Sequence, residues 1–361
     1  MFGDRRKNIL KAISKYGGRN LISFKPENIS YLTGFWGEGV LLVDQDLTRL
    51  YTPKLEYVRA NLDSKDCEVV QSERGNDILI SVISDLKNSD SSITDCEQYN
   101  RVEYLRNHIG KKKIIVNDEP FFKCRMIKDR EEIRNIQHAV KIIDYLFEVC
   151  INEVKVGISE RQLQATLVYE ALKNKASLPS YRSTLNPFII ASGPNGALPH
   201  SSVSDRRFKT GDFIVVDITL RYKGYVGDAT RTFALGRISS EMKKIYEIVR
   251  ECQDLGVKNA CENTTAGEVD KICRDFISNR GYNEEFNHST GHGIGLDVHE
   301  PPWIRRNNKQ ILNNNMTITI EPGIYLKSKF GIRIEDSVII DNKIKNGVKK
   351  MNKFRNNLVI L

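Results

Sequence analysis

Four acidic residues and one histidine in the second half of the chain have the types and the spacing of a metal site. Asp217 and Asp228 stand eleven residues apart in one apolar stretch, and Glu321 and Glu335 stand fourteen apart in another. A carboxylate inside strand-like sequence is costly unless it is paired or bound to metal. If each stretch folds as a hairpin, its two carboxylates come side by side, and if the hairpins face each other, all four converge.

These charges also predict the kind of metal. Four negative charges in one pocket require cations, and two divalent ions would balance them, with His292 as the one nitrogen ligand. Carboxylates with a single imidazole favour manganese or cobalt, and ligand type alone excludes neither zinc nor iron. The alternative is that some of the acids are surface residues at strand ends, as Asp228 beside Gly227 could be. Four acids in mirrored positions together with His292 favour the metal site.

The stretch HSTGHGIGLDVHE, residues 288–300, contains three of the six histidines of the chain and is interrupted by three glycines. Each interior glycine would cost a helix about 1 kcal/mol relative to alanine, so we expect an extended segment. In a strand His288 and His292 point to one side, whereas His299 has the opposite parity unless the chain bends before Pro301. The alternative is an ordinary polar surface loop.

The sequence around these residues predicts two similar halves, each with two helices, a strand-like segment and a hairpin. Asp129 begins the first helix as its N-cap, because Glu132 follows three residues later as a capping-box partner, and Ser159 repeats the device in the sequence SERQ. The rest of the first half consists of a strand-like segment at residues 186–192 and a hairpin at residues 213–235 that turns at Lys223 and Gly224. The second half consists of helices at residues 241–261 and 267–280, the histidine stretch, and a hairpin of residues 316–326 and 330–340.

Residues 1–122 have the pattern of a separate α/β domain, which leaves residues 123–361 as the second domain. A chain of 361 residues is too long for one small core, so two domains are the natural expectation. In the first domain strand-like runs alternate with amphipathic segments. The strand-like runs lie within residues 20–50, 67–71 and 111–117, and the amphipathic segments are residues 76–87 and 103–109.

The composition indicates a soluble globular protein without disordered regions. The chain is 40% hydrophobic and 28% charged, and its net charge is +9. The basic residues are interleaved with acids except in the tail at residues 343–357, which we interpret as a solvated basic terminus. Because no nucleic-acid-binding motif accompanies this charge, we do not expect nucleic acid as a partner.

The cysteines and the N-terminus predict a cytoplasmic protein. Seven cysteines is an odd number and none forms a CxxC pair, which favours a reducing compartment over a disulfide framework or a zinc finger. The first residues, MFGDRRKNILKAIS, contain no apolar core long enough for a signal peptide, and no run approaches a membrane span.

Several segments resemble the proline-specific metallopeptidases of the pita-bread fold, which are the Xaa-Pro dipeptidases (prolidases) and the Xaa-Pro aminopeptidases. The segments are GDFIVVDITLRYKGYVGDATRTF, HSTGHGIGLDVHE, ITIEPGIY and GIRIEDSVII, and FKPENISYLTGFWGEG resembles the family's N-terminal domain. The resemblance covers nearly the whole chain. It implies an α/β (α+β) protein in which a creatinase-like N-terminal α/β domain precedes a pseudo-twofold catalytic domain of the pita-bread fold.

The resemblance also implies residue roles. It implies that two metal ions bind to five ligands, of which the second and the last bridge the ions: Asp217, Asp228, His292, Glu321 and Glu335. It places three histidines in the active site, where they would stabilise the developing oxyanion: His200, His288 and His299. Glu321 would carry a proton from the attacking water to the proline nitrogen. Arg333 would lie near the substrate, and its alternative role is to neutralise nearby carboxylates.

The implied activity is hydrolysis of the bond between an N-terminal residue and proline. The short chain tilts the prediction toward an Xaa-Pro dipeptidase acting on dipeptides, and the alternative is an Xaa-Pro aminopeptidase acting on longer peptides. A methionine aminopeptidase would share the five ligands but lacks a domain like residues 1–122, and the creatine-hydrolysing relatives lack the metal set. A non-catalytic binding protein of this fold would be expected to have lost at least one ligand or site histidine. We also expect a homodimer in which the region of Trp36 lines the partner's active site.

Overall fold

The computed structural model describes residues 1–86, 91–180 and 184–361. The chain divides into two units, Met1–Arg125 and Met126–Leu361. A helix at Glu119–Met126 reaches this division, so the boundary predicted after residue 122 falls inside a helix. Within the described ranges, every helix is too short or too polar to span a membrane.

The first unit contains a mixed six-stranded sheet with the strand order β4-β3-β2-β1-β5-β6. Its strands are β1 (Asn20–Ser23), β2 (Val40–Val43), β3 (Thr48–Pro53), β4 (Glu68–Ser72), β5 (Ser92–Thr94) and β6 (Ile114–Val116). Its helices are α1 (Phe2–Ser14), α2 (Pro26–Thr33), α3 (Lys54–Asp63), α4 (Asn76–Asp85), α5 (Tyr99–Ile109) and α6 (Glu119–Met126), with a 3₁₀ turn at Lys111–Lys113. The α/β prediction is confirmed, and the amphipathic segments at residues 76–87 and 103–109 correspond to α4 and α5, although Lys87 lies outside the described residues.

The second unit repeats an order of two helices followed by strands. Its helices are α7 (Arg130–Glu153), α8 (Glu160–Lys173), α9 (Ser240–Asn259) and α10 (Ala266–Ser278), with a 3₁₀ turn at Gly193–Ala197. The strands of the first half are β7 (Phe188–Ser192), β8 (Phe213–Tyr222) and β9 (Tyr225–Ala234). The later strands are β10 (Gly291–Gly293), β11 (Glu300–Ile304), β12 (Thr317–Ile320), β13 (Gly323–Leu326), β14 (Phe330–Arg333), β15 (Asp336–Ile340), β16 (Val348–Lys350) and β17 (Val359–Ile360). They form sheets in the orders β17-β9-β8-β7, β11-β10-β12-β15-β16 and β13-β14.

The predicted helix starts are confirmed. The Asp129 side chain accepts from the backbone N–H groups of Glu131 and Glu132, and the Glu132 carboxylate accepts from Asp129 N, which completes the capping box of α7. Ser159 and Gln162 form the same reciprocal pair at α8. Local side-chain chemistry therefore fixes where both helices of the first half begin.

The first hairpin also forms as predicted. β8 and β9 pair over their whole length, and Lys223 and Gly224 connect them with φ angles of 48° and 84°. Positive φ at both central residues is typical of the two-residue turns that match the twist of a hairpin. Helix α7 packs on this sheet through a buried apolar face that includes Ile143 and Phe147.

The second hairpin differs from the prediction because it is interrupted on both arms. β12 pairs with β15, whereas β13 pairs with β14 in a separate two-stranded sheet. Glu321 and Glu335 lie in the two breaks, and neither is a strand residue. The breaks free their main-chain groups for other partners, so the acids are set by contacts outside their own hairpin.

The C-terminal tail is not the solvated basic terminus that its charge predicts. Residues 348–350 form the edge strand β16 beside β15, and Met351, Asn352 and Phe354 are buried. Lys350 Nζ lies 3.0 Å from both Asp254 and Asp336 carboxylate oxygens. The basic charge is partly neutralised by acids that lie more than ten residues away in sequence.

Candidate metal centre and active site

Asp217 and Asp228 lie on one face of the first hairpin. In the pairing of β8 with β9, Asp217 is opposite Thr230. Asp228 is opposite Thr219, two positions along, so the acids are diagonal neighbours and point to the same side. The Thr219 hydroxyl donates a hydrogen bond of 2.9 Å to Asp228 Oδ1.

Hydrogen bonds from other elements position Glu321 and Glu335. Glu335 N donates to Thr230 O at 3.1 Å, and the Thr230 hydroxyl donates to Glu335 Oε2 at 2.7 Å. Glu321 N donates to Thr290 O at 2.8 Å. Glu335 is therefore attached to the first hairpin, and Glu321 is attached to the histidine stretch.

The His292 ring faces these carboxylates with one nitrogen. Its Nε2 lies 3.6 Å from Glu321 Oε1 and 3.9 Å from Asp228 Oδ2. Its Nδ1 lies 3.1 Å from Gly293 O, a carbonyl that can only accept, so Nδ1 carries the proton. The Nε2 lone pair of the neutral ring is directed at the acids, which is the arrangement of a metal-ligating histidine.

Burial gives this cluster unusual electrostatics. Burial, with the neighbouring carboxylates Asp217 and Glu321, raises the pKa of Asp228 well above its usual range. Burial, with Asp228, does the same to the pKa of Glu335, and burial raises the pKa of Glu321 to about 8. Burial, with His299 as the next cause, lowers the pKa of His292 to about 3. The protein on its own thus holds three acids with raised pKa values, Asp228, Glu321 and Glu335, around an unprotonated imidazole.

The donor set fits divalent metal ions. Asp228, His292 and Glu335 each offer a ligand atom, and these atoms lie within 4.8 Å of one another. Four carboxylates and a neutral imidazole are hard donors of the kind that manganese and cobalt accept. A cation would favour the ionised carboxylates, whose charges repel one another in its absence.

Arg333 lies at the edge of the carboxylate cluster in a fully buried position. Its Nη2 is paired with Asp217 Oδ2. Its Nη1 donates to the Tyr325 hydroxyl at 2.8 Å and to Pro199 O at 3.2 Å. Pairing with Asp217 is the neutralising role that the sequence offered as the alternative, and the link to Pro199 joins Arg333 to the segment that carries His200.

Tyr325 is not among the site residues predicted from the sequence, and it connects Arg333 to His288. The His288 Nδ1 lies 2.8 Å from Ser289 O and its Nε2 lies 2.9 Å from the Tyr325 hydroxyl. Because burial lowers the pKa of His288 to about 3, the ring is neutral, and Nε2 accepts from the phenol. The signal in the sequence was ITIEPGIY, in which Tyr325 follows Glu321 by four residues.

The other two predicted site histidines, His200 and His299, are exposed. The His299 ring is edge-on to the His292 ring with centroids 4.5 Å apart, because the chain bends at residues 295–299 and so removes the parity problem. His200 follows the 3₁₀ turn of Gly193–Ala197, and after burial and Arg333 its proximity is a further cause of the lowered pKa of His288. The structure thus brings the predicted site histidines to one region, with His292 innermost. Trp36 belongs to the other unit, where its carbonyl accepts from Arg59 at 2.8 Å.

Comparison with known proteins identifies the family. Metallopeptidase family M24 matches residues 134–342, and the creatinase/prolidase N-terminal domain matches residues 5–127. The chain belongs to metallopeptidase family M24. This M24 chain is 36% identical over 359 residues to an Xaa-Pro dipeptidase of Pyrococcus furiosus, with 99% of each chain covered.

Solved structures of M24 relatives have the same fold. The prolidase of Pyrococcus horikoshii matches with a TM-score of 0.90 and 34% identity, covering 99% of this chain and 100% of that one. An X-Pro aminopeptidase of Thermotoga maritima matches with a TM-score of 0.88 and 32% identity, with 99% of both chains covered. The creatinase-like domain followed by the pita-bread metallopeptidase domain is thereby confirmed as the fold.

Proposed function

We propose that this metallopeptidase is an Xaa-Pro dipeptidase, a prolidase, which hydrolyses the bond between an N-terminal residue and a C-terminal proline. The observation that carries the proposal is the convergence of Asp228, His292 and Glu335 in a buried cluster. The two Pyrococcus relatives named as an Xaa-Pro dipeptidase and a prolidase support the substrate class.

The cluster would hold two divalent ions, which we propose to be manganese or cobalt. The ligands would be the five residues Asp217, Asp228, His292, Glu321 and Glu335, with Asp228 and Glu335 shared between the ions. When bound, such ions polarise a carbonyl and lower the pKa of water, which supplies a nucleophile at neutral pH.

The chain's own residues supply the proton chemistry. The bond to proline is a tertiary amide, so its nitrogen has no hydrogen and must gain a proton before it leaves. Glu321 is the proposed carrier of that proton, because its side chain is the least buried of the carboxylates around His292, with 16% of its surface exposed against 7% for Asp228. The hydrogen bond from the main-chain N–H of Glu321 to Thr290 O fixes the position of this residue.

His299 and His200 are the two exposed imidazoles among the predicted site histidines. We propose that His299 and His200 contact the substrate carbonyl as its oxygen gains charge. His288 donates from Nδ1 to Ser289 O and accepts at Nε2 from the Tyr325 hydroxyl, so both ring nitrogens have partners. We therefore propose that His288 contributes by orienting the Tyr325 phenol and, through it, Arg333.

An Xaa-Pro aminopeptidase acting on longer peptides is the second candidate, because the Thermotoga maritima structure that bears this name matches almost as well. The two activities differ in whether the site accepts a chain beyond proline. The test uses protein stripped of metal and reloaded with manganese or cobalt, which is offered Xaa-Pro dipeptides and Xaa-Pro-Xaa tripeptides in parallel. Release of amino acids from dipeptides alone supports the prolidase, cleavage of tripeptides moves the assignment to the aminopeptidase, and no cleavage with either metal overturns both.

Matched histidine variants control this test. His292→Ala should abolish cleavage and reduce the bound metal. His138→Ala should leave both unchanged, since His138 is exposed on α7 and stacks on Tyr222 with ring centroids 5.0 Å apart.

We further propose that the protein is a cytoplasmic homodimer without a nucleic-acid partner. The seven cysteines all lie in the described residues as free thiols, as expected in a reducing compartment. Sedimentation of the metal-loaded protein tests the dimer, and a salt-dependent binding assay tests nucleic acid.

A further inference from the structure

A buried ion pair lies behind the histidine stretch. Lys128 Nζ is 2.7 Å from Glu300 Oε1, and the exposed fractions of the two side chains are 0% and 1%. Lys128 immediately precedes the N-cap of α7, and its main-chain N–H donates to Asn315 O at 3.0 Å. Taking two charges out of water is expensive, so a fully buried pair needs an explanation other than simple stability.

Glu300 is connected through the main chain to the two imidazoles that lie against each other in the site, those of His299 and His292. It directly follows His299 in the chain. In the pairing of β10 with β11 it is opposite Gly293, whose carbonyl accepts from His292 Nδ1. A displacement of Glu300 would therefore reach the ring of His299 through the chain and the ring of His292 through the strand pair.

Two glycines of the histidine stretch allow Glu300 to lie close to the main chain of that stretch. A Cβ atom on Gly295 would lie 2.5 Å from Glu300 Oε1, and one on Gly293 would lie 2.6 Å from Glu300 O. Contacts this short do not occur between real side chains, so the stretch needs glycine where the glutamate passes. Gly295 is thus required by the position of the Glu300 carboxylate, and Gly293 by the close approach of the main chain at Glu300 and Pro301.

We propose that the Lys128–Glu300 pair is a positioning device that fixes His292 and His299 relative to the carboxylate cluster. Lys128 holds the Glu300 carboxylate against Gly295, and the seated carboxylate sets the bend that brings the His299 ring to the His292 ring. The catalytic consequence rests on the proposed peptidase function, whereas the effect on the His292 ring does not. Neither residue touches the reacting atoms, so both act through the imidazoles.

The test combines Lys128→Met, Glu300→Gln and their double variant with Lys173→Met as the control. Lys173 is also paired with a glutamate, Glu170 at 3.3 Å, but that pair is exposed on α8. The readouts are kcat and KM per folded molecule on an Xaa-Pro dipeptide, the visible absorption of the Co²⁺-loaded protein, and Co²⁺ affinity by competition with a chelator. Groups behind a metal ligand typically change affinity or activity by about 10- to 100-fold.

We expect each single variant to lower kcat or Co²⁺ affinity by about tenfold or more and to change the Co²⁺ spectrum. The double variant should be no worse than the poorer single variant, because it leaves no unpaired charge, and the control should match the wild type. Wild-type kcat, spectrum and affinity in folded Lys128→Met would overturn the proposal, as would losses that simply add in the double variant.

Gly295→Ala keeps the test decisive if the charge variants do not fold. Its methyl group displaces the carboxylate and leaves both charges in place, so the same spectral change is expected, and an unchanged spectrum would contradict the device. A wild type that binds Co²⁺ but cleaves no Xaa-Pro peptide overturns the proposed function, while the spectrum and affinity still decide the role of the pair.

Discussion

His288 and His292 have the same connection on one nitrogen and different partners on the other. In both rings Nδ1 donates to a nearby main-chain carbonyl, which leaves Nε2 as an acceptor. For His292 the acceptor faces carboxylates and suits a cation, whereas for His288 it is filled by the Tyr325 phenol. One tautomer therefore serves two purposes, and the neighbour at Nε2 decides which.

Removal of the Tyr325 hydroxyl tests this arrangement. Tyr325→Phe leaves His288 Nε2 and Arg333 Nη1 each without one partner, and a hydrogen bond to a charged group contributes about 1.5–3 kcal/mol. We expect kcat to fall by about tenfold or more with unchanged metal content. Tyr169→Phe, an exposed tyrosine on α8, is the control, and equal kinetics of the two variants would contradict a role for Tyr325.

Asp95 in the first unit is a buried acid that the proposed peptidase function does not use. It accepts hydrogen bonds from the Ser23 hydroxyl at 2.5 Å and from Phe24 N at 2.6 Å, yet burial raises its pKa to about 6. Because this pKa lies above the unfolded value of about 3.9, the folded chain binds a proton that the unfolded chain lacks between these limits. The stability contributed by Asp95 therefore rises as pH falls from about 6 to about 4.

The variant Asp95→Asn removes the titrating group, so comparison with the wild type isolates the contribution of that proton to stability. The free energy of unfolding in urea is measured for the wild type and the variant at several pH values from 7.5 to 4, and their difference cancels all groups that both proteins share. We expect the wild type to gain roughly 3 kcal/mol relative to the variant over this range. A difference that does not change with pH would show that the acid keeps its ordinary pKa.

At the scale of elements, α10 holds the histidine stretch through one buried acid. Asp270 Oδ1 accepts from Thr290 N at 3.1 Å and from the Thr290 hydroxyl at 2.8 Å, and its Oδ2 is paired with Arg274 at 2.7 Å. Arg274 in turn donates to His288 O at 2.5 Å. The helix thereby fixes the carbonyls of His288 and Thr290, and the second of these accepts from Glu321 N.

Thr290→Val tests this attachment with little change of shape. The variant removes one donor from the buried Asp270 carboxylate and should lower the free energy of unfolding by about 1–3 kcal/mol, with a fall in kcat because Glu321 shares the same segment. Thr166→Val is the control, because Thr166 is a half-buried residue of α8 whose hydroxyl donates to Gln162 O of the same helix at 3.3 Å. A variant with the stability and kcat of the control would exclude the attachment.

The elements also show how far the sequence predicts this fold. The capping boxes of α7 and α8 and the turn of the first hairpin depend on residues within a few positions, so local rules predict them. The breaks at Glu321 and Glu335 depend on bonds to Thr290 and Thr230, which lie 31 and 105 residues away in sequence. Tyr325 and Lys128 were missed for the same reason, because their roles exist only through distant partners.

At the scale of the whole molecule, the proposed dimer makes a testable claim on Trp36. If its region lines the partner's active site, Trp36→Ala should change KM for an Xaa-Pro dipeptide by several-fold without loss of bound metal. Tyr99→Ala, an exposed aromatic residue of the same unit, is the control. Unchanged kinetics in Trp36→Ala would remove Trp36 from the site.

The proposed ligands come from both halves of the second unit, two from the first hairpin and three from the later segments. An ion held by both halves binds only the folded chain, so mass action couples its concentration to folding. Free ion at one hundred times its Kd would add about 2.7 kcal/mol to the free energy of unfolding. A chelator should therefore lower the unfolding temperature of the second unit and leave that of the first unit unchanged, which calorimetry would measure. The metal would then link two sheets of the second unit as well as take part in the reaction. The concentration of free metal would therefore set the thermal stability of the enzyme.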